Sequence, residues 1–119
     1  MNYLGEGTDA LKLARILVVD DNPSNVTLIS QILQSDGYLN IASTTDPREA
    51  VDMFCDGQFD LLLLDIRMPH LDGFEVMAAL RLRIRDDFLP ILVLTAQTDE
   101  ETCFRALSSG AQDFLTKPI

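Results

Sequence analysis

Four consecutive leucines, Leu61 to Leu64, end in a carboxylate, Asp65, and are soon followed by Pro69 and the pair Asp72-Gly73. An unbroken apolar run bounded by turn residues reads as a strand buried on both faces, the kind found inside a parallel sheet. Such a strand demands a covering layer on each side. Asp65 sits where the strand leaves the core. Ligands of open parallel sheets bind just outside the carboxyl ends of the strands, so Asp65 stands where chemistry is done.

The rest of the chain supplies the neighbouring strands and the layers. Arg15-Ile16-Leu17-Val18-Val19 predicts a first strand that stops at Asp20-Asp21. Asn22-Pro23 opens a helix, with proline in the first turn, where its missing N–H costs nothing. Val26, Ile29, Ile32 and Leu33 recur at helical spacing, and Gly37 is the expected stop. Tyr38 to Ala42 predicts the second strand. Asp46-Pro47-Arg48-Glu49 offers a cap, a first-turn proline and a glutamate placed for a capping box. Ala50, Val51 and Phe54 give that helix its inner face. A third helix starts near Asp72 or Gly73, turns Phe74, Val76, Met77 and Leu80 inward, and ends in Arg81, Arg83 and Arg85. Ile91 to Leu94 predicts strand four. A second capping box at Thr98-Asp99-Glu100-Glu101 opens a helix running to Gly110, and Gln112 to Leu115 is the fifth strand. Strands alternating with helices give an α/β chain whose parallel sheet is joined by right-handed crossovers. Residues 1–14 read as an N-terminal tail and 15–119 as one domain.

The formal net charge is −10. That argues against direct binding to nucleic acid or an acidic membrane and fits a cation site or a basic partner surface. Cys55 and Cys103 form neither a CxxC pair nor a metal spacing and are expected as buried thiols in a reducing compartment. No apolar run is long enough to span a bilayer, and the N-terminus lacks a signal-peptide pattern. The expected address is the cytoplasm.

Asp20, Asp21, Asp65, Thr95 and Lys117 all fall just past strand ends on one edge of the predicted sheet. Singly, each has a plain structural reading. Asp-Asp before Asn-Pro caps a helix, and Thr-Ala or Lys-Pro makes a turn. The lone His70 reads as an exposed loop residue, and Arg81 to Arg85 as a solvated helix end. Together the five point further. Three crowded carboxylates repel one another unless a cation intervenes, and the simplest is Mg²⁺, a hard ion that takes oxygen ligands. With Lys117 added the formal charges cancel. A phosphoryl group arriving there needs the cation and the lysine close to its oxygens, which is the arrangement for phosphoryl transfer onto an aspartate nucleophile.

From Arg15 to Ile119 the chain resembles the receiver domain of two-component response regulators. The matching stretches are Val18-Val19-Asp20-Asp21-Asn22, Leu64-Asp65-Ile66-Arg67-Met68-Pro69-His70-Leu71-Asp72-Gly73, Leu94-Thr95-Ala96 and Phe114-Leu115-Thr116-Lys117-Pro118. Each is short, but together and in this order they are highly specific. The resemblance implies a doubly wound, flavodoxin-like, five-stranded parallel sheet of order 2-1-3-4-5. It implies that Asp65 accepts a phosphoryl group from a phosphohistidine on a histidine kinase or a histidine phosphotransfer protein. Asp20, Asp21 and Asp65 would serve Mg²⁺, with the backbone carbonyl of Arg67 as a further ligand. Thr95, Lys117 and backbone amides near Ile66 and Ala96 would contact the phosphoryl oxygens. Thr95 and Phe114 would transmit the signal, and the Lys117–Pro118 bond would be cis. The implied product is a signalling switch, not a turnover enzyme, acting on an output domain or downstream protein that is missing here.

The departures from the family pattern are Arg67 and Gln97, which border the implied phosphoryl pocket, and the end of the chain at Ile119, before the family's fifth helix. Two other functions compete. A haloacid-dehalogenase-type phosphatase has a second aspartate two residues after its nucleophile, where this chain has Arg67. A flavin-binding electron carrier needs a phosphate loop after strand one, where Asp20-Asp21 would repel a phosphate. With no fifth helix, the sheet face beside the first helix is expected to be under-covered, with homo-oligomerisation through it as one outcome.

Overall fold

The computed structural model describes residues 13–66, 72–83, 91–95, 100–109, 111 and 113–116, without the side chains of 95, 100–103 and 114–116. Five strands and four helices alternate along the chain. They are β1 (Arg15–Val19), α1 (Pro23–Ser35), β2 (Asn40–Thr44), α2 (Pro47–Gly57), β3 (Leu61–Asp65), α3 (Gly73–Arg83), β4 (Ile91–Thr95), α4 (Glu100–Ser108) and β5 (Asp113–Thr116). The sheet is parallel throughout, in the order β2-β1-β3-β4-β5. This is the doubly wound α/β architecture expected from the alternation, and the order implied by the family resemblance.

Strand periodicity divides the core into two layers. Leu17, Val19, Leu62, Leu64, Ile91 and Val93 face α2, α3 and α4 and form the larger cluster with Phe54, Met77 and Leu80. Ile16, Val18, Leu63 and Leu94 face α1 and pack on Val26 and Ile29. Full burial of each such side chain stabilises the fold by about 1.5–3 kcal/mol, so the central strands β1 and β3 carry much of the stability. The second layer is thinner. A groove of about 290 Å³ opens beside α1, lined by Ile29 and Leu33 of the helix and by Ile16, Leu61, Leu63 and Leu92 of the strands. Among the described residues, the groove lies on the sheet face where the sequence reading expected thinner cover.

The helix ends follow local chemistry. Asn22 caps α1 by accepting from the Ser24 N–H at 2.9 Å, and Pro23 occupies the first turn. The helix stops in a Schellman arrangement. The Gly37 N–H donates to Gln34 O and the Tyr38 N–H to Leu33 O, each at 3.0 Å, with Gly37 at φ 100°. Asp46 caps α2 through the Arg48 N–H at 2.9 Å. Glu49 does not close the expected capping box; its carboxylate meets the Thr44 hydroxyl at 3.3 Å, and that hydroxyl accepts from the Asp46 N–H at 3.0 Å. At α3 the box does form. Asp72 Oδ1 accepts from the Glu75 N–H at 2.9 Å, and Glu75 Oε1 accepts from the Asp72 N–H at 3.2 Å.

Several boundaries and environments differ from the sequence reading. The second strand is Asn40–Thr44, not Tyr38 to Ala42, because the Schellman turn consumes Tyr38. The fifth strand is Asp113–Thr116, and α4 ends at Ser108. Ile32 is 40% exposed, at the rim of the groove. Cys55 is only partly buried, since it sits near the flank of α2. The basic end of α3 is tethered as well as solvated. Arg81 donates to Ser109 O at 3.1 Å, and Arg83 pairs with Asp52 and Asp56 of α2. His70, Arg85 and the second capping box lie outside the described residues.

Candidate functional site

The site is built by register. Val19 of β1 lies beside Leu64 of β3, so the next residue on each strand, Asp20 and Asp65, leaves the sheet side by side. Parallel strands are about 4.8 Å apart, and oxygens from Asp20, Asp21 and Asp65 all lie within 4.8 Å of one another. Asp20 is fully buried and Asp65 is 5% exposed, while Asp21 is half-buried at the mouth. Among the described residues these three are the grouping suited to a metal ion.

Backbone donors aim the cluster. The Asn22 N–H donates to Asp20 Oδ1 at 3.0 Å, so the turn that starts α1 also orients Asp20. The Asp20 N–H donates to Thr44 O at 3.3 Å, which ties the end of β1 to β2. On the other side, Asp65 lies in register with Leu94 of β4, and the Ile66 N–H donates to Leu94 O at 3.2 Å. The start of α3 closes on this strand end, with the Gly73 N–H donating to Ile66 O at 2.8 Å.

Chemically the cluster has the make-up of a cation site. Burying carboxylates is costly unless they are paired or coordinate a metal, and here two buried carboxylates share their space with a third. The donor set is all oxygen, which suits a hard divalent ion of the Mg²⁺ type. Asp21 leaves the site open to solvent on one side, as an ion that keeps several waters requires.

Of the residues singled out in the sequence, Asp20, Asp21 and Asp65 come together. Thr95 is the last residue of β4 and pairs in register with Thr116, so its backbone lies on the same strand-end edge. Phe114 lies on β5 opposite Val93. The side chains of Thr95 and Phe114, together with Arg67, Lys117 and Pro118, lie outside the described residues. Two features escaped the sequence reading. One is the orientation of Asp20 by the Asn22 N–H, which no side-chain pattern reveals. The other is the contact between Gly73 and the strand end, because a helix start read from sequence does not say which element the helix touches.

Comparison with known proteins agrees with this geometry. The family model described as the response regulator receiver domain matches residues 16–119. The chain is similar to the transcriptional regulatory protein ZraR of Escherichia coli, with 36% identity over 104 residues, which is 87% of this chain and 23% of that protein. Other curated relatives are also longer, the chain spanning 44% of the response regulator MprA of Mycolicibacterium vanbaalenii at 41% identity over 88% of its own length. Among solved structures it is similar to the chemotaxis protein CheY4 of Vibrio cholerae, with 36% identity, a TM-score of 0.82, and coverage of 90% of this chain and 88% of that one. It is also similar to the CheX–CheY–BeF3–Mg²⁺ complex of Borrelia burgdorferi, with 28% identity, a TM-score of 0.80, and coverage of 89% and 79%. With its sheet order, its strand-end carboxylates and a family match over nearly its whole length, the chain belongs to the response regulator receiver domains, the phosphorylation-controlled switches of two-component signalling.

Proposed function

We propose that Asp65 is the phosphoacceptor of this receiver domain and that Asp20, Asp21 and Asp65 hold the Mg²⁺ the reaction needs. The observation that carries this reading is the gathering of three carboxylates, two of them buried, within 4.8 Å at the carboxyl ends of β1 and β3. An Asp65 carboxylate oxygen attacks the phosphorus of a phosphohistidine. The P–O bond forms as the P–N bond breaks, and the electron pair returns to the imidazole of the donor. When bound, Mg²⁺ offsets the charge gathering on the phosphoryl oxygens. The Arg67 backbone carbonyl would be a further ligand. Asp20, fixed by the Asn22 N–H, and Asp21, facing solvent, hold the ion beside the acceptor. The relative from Borrelia, whose structure contains Mg²⁺ and BeF3, supports this assignment.

Thr95, Lys117 and the amides near Ile66 and Ala96 would contact the phosphoryl oxygens. Thr95 then draws inward, Phe114 fills the space it leaves, and a pre-existing equilibrium shifts. Phe114 has no hydroxyl to anchor it outward, so its two positions would lie closer in energy than those of a tyrosine. By the family resemblance the Lys117–Pro118 bond would be cis. The donor is a histidine kinase or a histidine phosphotransfer protein, and the receiver performs no turnover beyond its own phosphorylation and dephosphorylation. The output is a further domain, in keeping with the greater length of the relatives, or a separate protein. No helix among the described residues is long and apolar enough to cross a membrane, and we place the domain in the cytoplasm, without direct contact to nucleic acid. The groove beside α1 is the surface through which the isolated chain self-associates.

Incubation with Mg²⁺ and acetyl phosphate, read by intact mass, tests the acceptor. One phosphoryl group is expected on the wild-type chain and none on Asp65→Asn; label retained by the variant would refute the assignment.

A further inference from the structure

We propose that Gly73 is a positioning residue for the acceptor, a bare spot on α3 that lets the helix seat directly on the Asp65–Ile66 backbone and so fixes where the Asp65 carboxylate stands. This role rests on Asp65 being the phosphoacceptor. A Cβ at Gly73 would lie 2.8 Å from Asp65 O and 2.8 Å from Ile66 Cα, both backbone atoms. Ordinary contact begins at about 3.4 Å, so something must give by about 0.6 Å. The backbone conformation does not itself call for glycine, since the positive-φ glycine among the described residues is Gly37. What position 73 requires is the absence of a side chain.

Neither partner can retreat freely. The helix is held by Val76, Met77 and Leu80, all fully buried in the larger core cluster. Its first turn is held by the reciprocal Asp72–Glu75 hydrogen bonds. The strand end is held by the register of Asp65 with Leu94, by the Ile66 N–H on Leu94 O, and by the fully buried Leu64. The Gly73 N–H on Ile66 O, at 2.8 Å, closes the seat. An added methyl group therefore displaces the peptide that carries Asp65, and the acceptor leaves its place in a cluster whose oxygens sit within 4.8 Å of one another. Disturbing the groups that orient a metal ligand typically lowers metal affinity by about 10- to 100-fold. A misplacement on the order of 1 Å can cost about 100-fold in rate.

The test compares Gly73→Ala with Val76→Ala, a cavity-forming change one turn further along the same helix. The Mg²⁺ affinity of each is read from the Mg²⁺ dependence of its thermal midpoint, a measure that also serves a weakened chain. Labelling rates with acetyl phosphate are taken at saturating Mg²⁺. The expected result is a loss of about 10-fold or more in Mg²⁺ affinity for Gly73→Ala, with slower labelling, while Val76→Ala has a lower midpoint but an affinity within about twofold of wild type. Wild-type affinity in a folded Gly73→Ala would overturn the proposal. So would an equal loss in Val76→Ala, or a Gly73→Ala chain that stays unfolded at saturating Mg²⁺, which would make the glycine purely structural. Asp65→Asn, run in parallel, separates the two ideas. Label retained there defeats the acceptor assignment, whereas label confined to Asp65 with unchanged Gly73→Ala affinity defeats only the seat.

Discussion

Replacing Asp21 by Asn should make the metal-free domain more stable and the Mg²⁺-loaded domain less stable, so the two stability curves cross. Oxygens of Asp20, Asp21 and Asp65 lie within 4.8 Å of one another, and two unit charges at that distance repel by about 3.5 kcal/mol at an effective dielectric of about 20. Asp21 takes part in two such pairs. It is half-exposed, so solvent and salt remove most of that sum, leaving about 1–2 kcal/mol. For a domain of this size that corresponds to a rise of roughly 5–10 °C in the thermal midpoint. In Mg²⁺ the sign reverses. Ion at about 100 times its Kd stabilises the wild type by about 2.7 kcal/mol, and the variant, one hard ligand short, keeps only a fraction of this. Asp21 is a cleaner choice than Asp20, whose carboxylate also accepts the Asn22 N–H. The assay is thermal unfolding in EDTA and across a Mg²⁺ series. A variant less stable than wild type in EDTA, or one stabilised equally by Mg²⁺, would refute the reasoning.

Gln58 holds the left-handed conformation at the end of α2, with φ 54°; Gln58→Gly removes the side-chain clash and should raise stability by about 0.5–1 kcal/mol in urea unfolding, with no gain if the cap is not strained. Sedimentation velocity should show the 119-residue chain associating as concentration rises. Ile32→Glu, at the 40%-exposed rim of the groove, should abolish that association; a monomer at every concentration would exclude the groove as a contact.

How much could be read in advance depended on whether a feature is local in sequence. Leu61–Leu64 and Ile16–Val19 announced themselves because a strand buried on both faces leaves no polar alternation, and the strand-end aspartates followed from them. The second strand slid by two residues because nothing in Tyr38-Leu39-Asn40 says that a Schellman turn has already claimed Tyr38; that depends on the carbonyls of Gln34 and Leu33. Glu49 was expected to close a capping box, but the fold brings the Thr44 hydroxyl near, and the Glu49 carboxylate accepts from that hydroxyl instead. At Asp72 the helix start was read from the sequence, but the capping box that forms there was not named. Cys55 was expected inside because free cysteines usually are, yet its place on the helix flank leaves it partly exposed. The close approach of Gly73 to Asp65 O is a distance between two elements, and no residue pattern encodes such a distance.

The sheet order has a consequence for how the chain comes together as it is made. β2 adds to one side of β1, β3 to the other, β4 to β3 and β5 to β4. Every strand arrives at an open flank, and none must wedge between two already joined. A chain emerging from its N-terminus at about 5–20 residues per second can therefore accumulate its sheet without undoing any earlier pairing. The three carboxylates are all present once Asp65 has emerged. The carboxylate edge can thus be gathered while the second half of the domain is still being synthesised.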